Sequence, residues 1–125
     1  MYIKMFENFE NDIENDINEA LDGYLQAIIF TEELQIDDFD EKSVNESRND
    51  IVDFFDKLDE YDLLDELSSH LSYESIGADF WYTRNGHGVG FYDRDLGDLG
   101  VEVSNIAEKY KSKDVFIQNE KIYIE

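Results

Sequence analysis

The chain has no cysteine and no proline, and only 10 Lys+Arg stand against 32 Asp+Glu in its 125 residues. Without cysteine there is no disulfide framework, no thiol nucleophile and no thiolate-bound zinc. Without proline, breaks between elements have to be read from Gly, Asn and Ser. The shortage of cations leaves a formal net charge of -22. That excludes binding nucleic acid by phosphate neutralisation, which needs a basic footprint. It excludes docking on an anionic membrane surface for the same reason. The N-terminal run MYIKMFENFENDIE turns acidic within seven residues. It is expected to be neither a signal peptide nor a membrane span, and a cytoplasmic location is expected. Partners suited to such a chain are cationic: metal ions, polyamines, or proteins with basic grooves.

Apolar material is plentiful, at 42% hydrophobic and 14% aromatic residues, so one ordered domain over residues 1–125 is expected. Its charge is uneven. Residues 1–75 hold 23 acids and 4 bases, a net of -19, and residues 76–125 hold 9 acids and 6 bases, a net of -3. An acidic helical part is therefore followed by a more neutral one. In the first part Phe6, Phe9, Ile13, Ile17, Ala20 or Leu21, Tyr24 and Ile28 step by three or four, one face of a helix, with Glu7, Glu10, Asp12, Glu14, Asp16 and Glu19 between them. Gly23 is a candidate break in that helix. Residues 32–42 lose the periodicity and read as an acidic loop, with Ile36 and Phe39 turned inward. Ser43-x-x-Glu46 has capping-box spacing before a helix that turns Ile51, Phe54, Phe55, Leu58 and Tyr61 inward. A further helical piece at 62–71 buries Leu63, Leu64, Leu67 and Leu71.

The most specific stretch is DFWYTRNGHGVGFYDRDLGDLG, Asp79–Gly100. Aromatic triplet and pair flank a Gly-rich centre, which predicts a β-hairpin turning at 84–88. Leu96, Leu99, Val103, Ile106, Ala107 and Tyr110 predict a helix over about 95–111, with Lys109, Lys111 and Lys113 at its C-terminal end. Val115–Ile117 and Ile122–Ile124 around Asn119-Glu120 predict a second hairpin. The expected order is αααββαββ, an α+β fold of acidic helices packed on a small antiparallel sheet of two hairpins.

Dedicated chemistry is harder to find. A calcium loop started at Asp38 puts Ser43 where its glycine belongs, and one started at Asp12 puts Ile17 there. No metal or cofactor is expected. Gly86-x-Gly88-x-Gly90 is followed by a strand-like run rather than a helix, so it is not read as a phosphate cradle. His87 could work with Asp79, Asp93 or Arg84 as an acid–base group, but no nucleophile or second histidine accompanies it, and an exposed turn accounts for it as well. The protein is expected not to be an enzyme. Arg84 and Arg94 are expected to pair with nearby Asp, holding the hairpin on the helices.

Carboxylates at helical spacing lie about 5–6 Å apart, which approaches the phosphate repeat of about 3.4 Å along a nucleic acid strand. Acidic helices side by side could therefore imitate a nucleic acid and occupy a basic groove. The expected contacts are Glu46, Asp50, Asp53, Asp56 and Glu60 on the second helix, Asp37, Asp38 and Asp40 in the acidic loop, and Trp81, Arg84 and His87 on the hairpin. The alternative is a regulatory module binding through the Asp79–Gly100 hairpin, or a small enzyme using His87, with the acid serving solubility.

The run Asp79, Phe80, Trp81, Thr83, Arg84, Asn85, Gly86, His87, Gly88, Gly90, Phe91, Asp93, Arg94, Leu96 and Gly97 resembles a family of small proteins encoded by bacteriophages and plasmids, in which it reads D-F-W-x-T-R-N-G-H-G-x-G-F-x-D-R-x-L-G. A weaker similarity extends to Gly23-Tyr24-Leu25-Gln26-Ala27 and to Ile122-Tyr123. The resemblance implies a mobile-element origin and a host-cell cytoplasmic setting. By analogy of class, it implies an inhibitor of host defence of the anti-restriction or anti-CRISPR type, whose partner is a basic nuclease or CRISPR effector.

Overall fold

The structure is a computed structural model that describes residues 9–125; Phe6 and Glu7 of the first predicted face lie outside the described residues. Helix α1, Phe9–Thr31, runs without interruption through Gly23 and buries Ile17, Ala20, Leu21, Tyr24, Ala27 and Ile28. Helix α2, Glu41–Glu60, buries Ile51, Phe54, Phe55 and Leu58. Its N-cap is Asp40, whose carboxylate accepts from the Ser43 N–H at 3.0 Å. The predicted Ser43–Glu46 capping box is thus corrected. Aspartate three residues earlier takes the cap, a role that Ser and Asp fill about equally well. Ser43 is instead buried inside the helix, and its hydroxyl accepts from the Ile124 N–H at 3.0 Å. Tyr61, expected inward, is 61% exposed because the helix has ended. Helix α3, Leu64–His70, follows and buries Leu64 and Leu67.

The predicted first hairpin does not form. Phe80, Trp81 and Tyr82 lie on helix α4, Tyr73–Arg84, and Phe91–Arg94 is one 3-10 turn. Helix α5, Asp98–Ala107, buries Leu99, Val103, Ile106 and Ala107. It stops before Lys109, so the three lysines lie beyond the helix rather than in its last turn. Strands β1, Val115–Gln118, and β2, Lys121–Ile124, form the predicted terminal hairpin, antiparallel with Phe116 opposite Tyr123 and Ile117 opposite Ile122. Asn119 and Glu120 carry the turn with φ of 53° and 64°, the pair of positive values that a tight two-residue hairpin loop requires. The protein is therefore mostly helical with a two-stranded antiparallel sheet among the described residues, an α+β arrangement. No helix in that set is long and apolar enough to cross a membrane.

Why the hairpin reading fails is visible in the packing. α4 has α1 along one side and presents Ile76, Gly77, Asp79, Phe80, Trp81 and Arg84 to the interior. A helix buried almost all round carries no apolar stripe, so its sequence shows aromatics without periodicity. α1 and α4 run in the same direction, with Gly23 against Glu74 and Thr31 against Trp81. They cross at two glycines. A Cβ on Gly23 would overlap the Glu74 carbonyl, and one on Gly77 would overlap the Ala20 carbonyl. Gly23 is no helix break; it lets two backbones touch.

Candidate functional site

The Asp79–Gly100 stretch turns most of its distinctive side chains into the protein. Phe80 stacks on Phe54 with centroids 4.2 Å apart and planes within 5°, and meets Tyr110 edge-on at 5.0 Å. Trp81 is edge-on to Tyr24 at 5.3 Å, and its indole N–H donates to Thr31 Oγ1 at 3.0 Å. Phe91 joins the same cluster against Phe54 at 6.0 Å.

Arg84 is the polar centre of this cluster, with its side chain 3% exposed. Its Nε and Nη2 both donate to the Lys111 carbonyl, at 3.0 and 2.7 Å. Its Nη1 donates to Asp50 Oδ2 at 2.8 Å and to the Tyr24 hydroxyl at 3.2 Å. The guanidinium also lies 5.2 Å from the Phe80 ring centroid and 5.6 Å from that of Tyr110. One cation thus joins α1, α2, α4 and the segment after α5, with charge-assisted bonds on each of its nitrogens. Asn85 adds a bond from its amide to the Trp81 carbonyl, 3.0 Å, and accepts from the Lys113 N–H, 2.9 Å. Arg94 donates to both carboxylate oxygens of the buried Asp79, from Nε at 2.8 Å and from Nη2 at 3.0 Å. Burial pushes the Asp79 carboxyl up, against the pull of Arg94.

The expected pairing of both arginines with aspartates is present, with α4 in place of the hairpin. Trp81 and Arg84, also expected as partner contacts, are corrected to interior groups, 1% and 6% exposed. His87 is exposed in the loop after α4, its ring 6.5 Å from that of Trp81. Asp79, considered as its orienting carboxylate, is committed to Arg94. Val89 and Tyr92, which the sequence did not single out, are exposed beside it at 46% and 57%. They border a groove of about 160 Å³ with Tyr82, Thr83 and Glu108.

The acidic residues divide in two. Glu46, Asp53, Asp56 and Glu60 are exposed and fall at helical intervals on one face of α2. Asp50 is half-buried under Arg84, and Asp53 accepts a 2.5 Å bond from the Tyr110 hydroxyl as well as pairing with Lys57 at 3.3 Å. That hydroxyl, first of all, holds the Asp53 carboxyl below its ordinary value. Asp50 is therefore drawn toward the interior by Arg84, while Asp53 stays exposed on the α2 face with Tyr110 and Lys57 as its partners. Asp40 is a helix cap, Asp37 is exposed, and Asp38 lies 3.7 Å from Lys121. Glu46 is 3.8 Å from Lys42, both in solvent, a pair of little energetic weight. Arg48 ties α2 to α1 through Glu14, at 3.3 Å, and Asn18. Among the described residues no group of three or more His, Asp or Glu side chains is placed to hold a metal.

Burial pushes the Tyr24 hydroxyl up to about 12, and burial followed by the Asp53 bond raises that of Tyr110 further. Groups whose folded value is raised give stability that is full below the unfolded value of 10.0 and is lost as pH climbs through the folded one. Ultraviolet titration should therefore show Tyr24 and Tyr110 silent near pH 10 and ionising only as the far-ultraviolet circular dichroism collapses. Ordinary titration of all eight tyrosines in the folded protein would contradict the burial of Tyr24 and the bond of Tyr110 to Asp53.

Compared with protein-family models, curated proteins and solved structures, the chain matches none.

Proposed function

We propose that the protein is a non-catalytic acidic inhibitor of mobile-element origin, which imitates nucleic acid and occupies the basic groove of a host nuclease or CRISPR effector. The observation that carries this reading is where the cations go. Lys42, Arg48, Lys57, Arg84, Arg94 and Lys121 each pair with a carboxylate of the same chain. Lys109, Lys111 and Lys113 follow one another in the segment after α5. Glu46 keeps only the weak solvent pair with Lys42, and Asp56 and Glu60 on the α2 face, with the exposed Asp62, Asp65 and Glu66 that follow in the chain, have no cation paired to them among the described residues. Such a face speeds encounter with a basic groove. The resemblance of Asp79–Gly97 to phage and plasmid proteins supports the mobile-element setting.

The test is displacement of labelled duplex from a purified basic nuclease. Glu46→Lys, Asp56→Lys and Glu60→Lys together should weaken inhibition at least about tenfold, and rising salt should weaken the unaltered protein as screening shortens electrostatic reach. Asp50 and Asp53 are unsuitable for reversal, because they hold Arg84 and Tyr110. Undiminished inhibition by the triple variant would refute the reading. A rival reading, a binding module acting through the loop after α4, is favoured by the exposed Val89 and Tyr92. It predicts instead that Val89→Asp with Tyr92→Ala removes function while the charge reversals do not.

A further inference from the structure

The terminal hairpin has one edge tied to the residues leading into α2 and one that meets no backbone partner among the described residues. On β2, the Ile122 N–H donates to the Asp38 carbonyl and the Ile122 carbonyl accepts from the Asp40 N–H, each at 2.8 Å. The Ile124 N–H donates to Ser43 Oγ at 3.0 Å. The backbones of Ile122 and Ile124 therefore face away from β1. Their cross-strand partners, Ile117 and Val115, must then face away from β2, since opposite residues in an antiparallel pair bond either to each other or outward. The outward N–H and C=O of Val115 and Ile117 meet no partner among the described residues. Ile117 is 51% exposed and Phe116 37%. A strand edge this apolar, without proline, is a template for another strand.

We infer that the β1 edge is a self-association site, at which two copies of this chain pair antiparallel about Phe116 into a four-stranded sheet. The hydrogen-bonding phase is self-complementary. With Phe116 opposite the partner's Phe116, Val115 faces the partner's Ile117 and each satisfies the other's N–H and C=O. Phe116 already stacks on Tyr123, centroids 5.2 Å apart and planes within 6°, so the pairing carries that stack across the two-fold axis. The same register sets Asp114 opposite the partner's Gln118 and Lys113 opposite the partner's Asn119, so no like charges face each other along the paired strands. Charge also selects this edge: residues 109–118 carry three lysines and one aspartate in a chain of net -22, so repulsion between copies is least here.

The absence of native cysteine makes a cross-link diagnostic. Facing residues of a non-hydrogen-bonded pair have Cα atoms about 4.5 Å apart, within disulfide reach. Phe116→Cys should oxidise to a covalent dimer. Phe30→Cys, at a side chain 75% exposed on α1, should remain largely monomeric and measures random collision. Light scattering on the unaltered chain should give twice 14.7 kDa, with dimer favoured by added salt, which screens the like charges. Ile117→Pro deletes an outward donor, a change edge strands tolerate, and should return the mass to 14.7 kDa. The inference is overturned by a monomeric mass at every concentration and salt, by equal cross-linking of the two cysteine variants, or by a dimer that survives Ile117→Pro. If Ile117→Pro does not fold, the comparison of the cysteine variants decides alone.

Discussion

Replacing Gly77 by alanine is expected to cost at least about 3 kcal/mol, a large part of the roughly 5–15 kcal/mol that holds a domain of this size together. The added methyl would collide with the Ala20 carbonyl. That obstacle is helix backbone, which cannot swing aside as a side chain would. Relief requires α1 and α4 to move apart, and the contacts of Tyr24 with Phe80 and Trp81 open with them. A urea titration followed by tryptophan fluorescence reads the effect directly, because the single Trp81 lies at this interface. Gly86→Ala is the control. Nothing lies near its Cβ, and its φ of 68° exposes it only to the left-handed penalty of about 1–2 kcal/mol. Equal midpoints for the Gly77 variant and the unaltered protein would rule out the close crossing.

Replacing Arg84 is the second large effect, about 3–5 kcal/mol for Arg84→Met. The loss is not the value of the ion pair alone. It leaves the Asp50 carboxylate without its cation and the Lys111 carbonyl and Tyr24 hydroxyl without their donors, in a site too enclosed for water to replace all of them. Arg84→Lys should rescue little, because an ammonium on one stem cannot reach Asp50 and the Lys111 carbonyl with the fork that both now share. The check is the urea midpoint of the Met and Lys variants alongside Asp50→Asn. Removal of either partner should be severe, and the double variant should cost less than the sum. Additive losses would mean that Arg84 and Asp50 do not act as a pair.

Local regularities made much of the architecture readable. Ile51, Phe54, Phe55 and Leu58 repeat at helical intervals on a half-buried helix, and the alternation around Asn119-Glu120 gives the terminal hairpin its register. Where a segment is enclosed on most sides, that signal vanishes. Phe80 and Trp81 are adjacent and both buried, so aromatic content suggested strand while tertiary enclosure made helix. Gly23 looked like an interruption because its use depends on Gly77, 54 positions later. The same distance hid the commitments of the acidic face. That Arg84 would take an aspartate was legible; that the aspartate would be Asp50, from among the residues expected to face a partner, was not. Asp56 and Glu60, with no such neighbour among the described residues, stay where the periodicity put them.

The parallel course of α1 and α4 also matters for how the protein is made. Helices that run the same way cannot close as a simple hairpin, so α2 and α3 must intervene. During translation the seam formed by Ala20, Gly23 and Ala27 waits uncovered until residues through Trp81 have left the ribosome. The portion emerged by then includes residues 1–75, which alone carry a net charge of -19. Neighbouring nascent chains repel one another through that interval, which guards an unfinished seam that would otherwise invite aggregation.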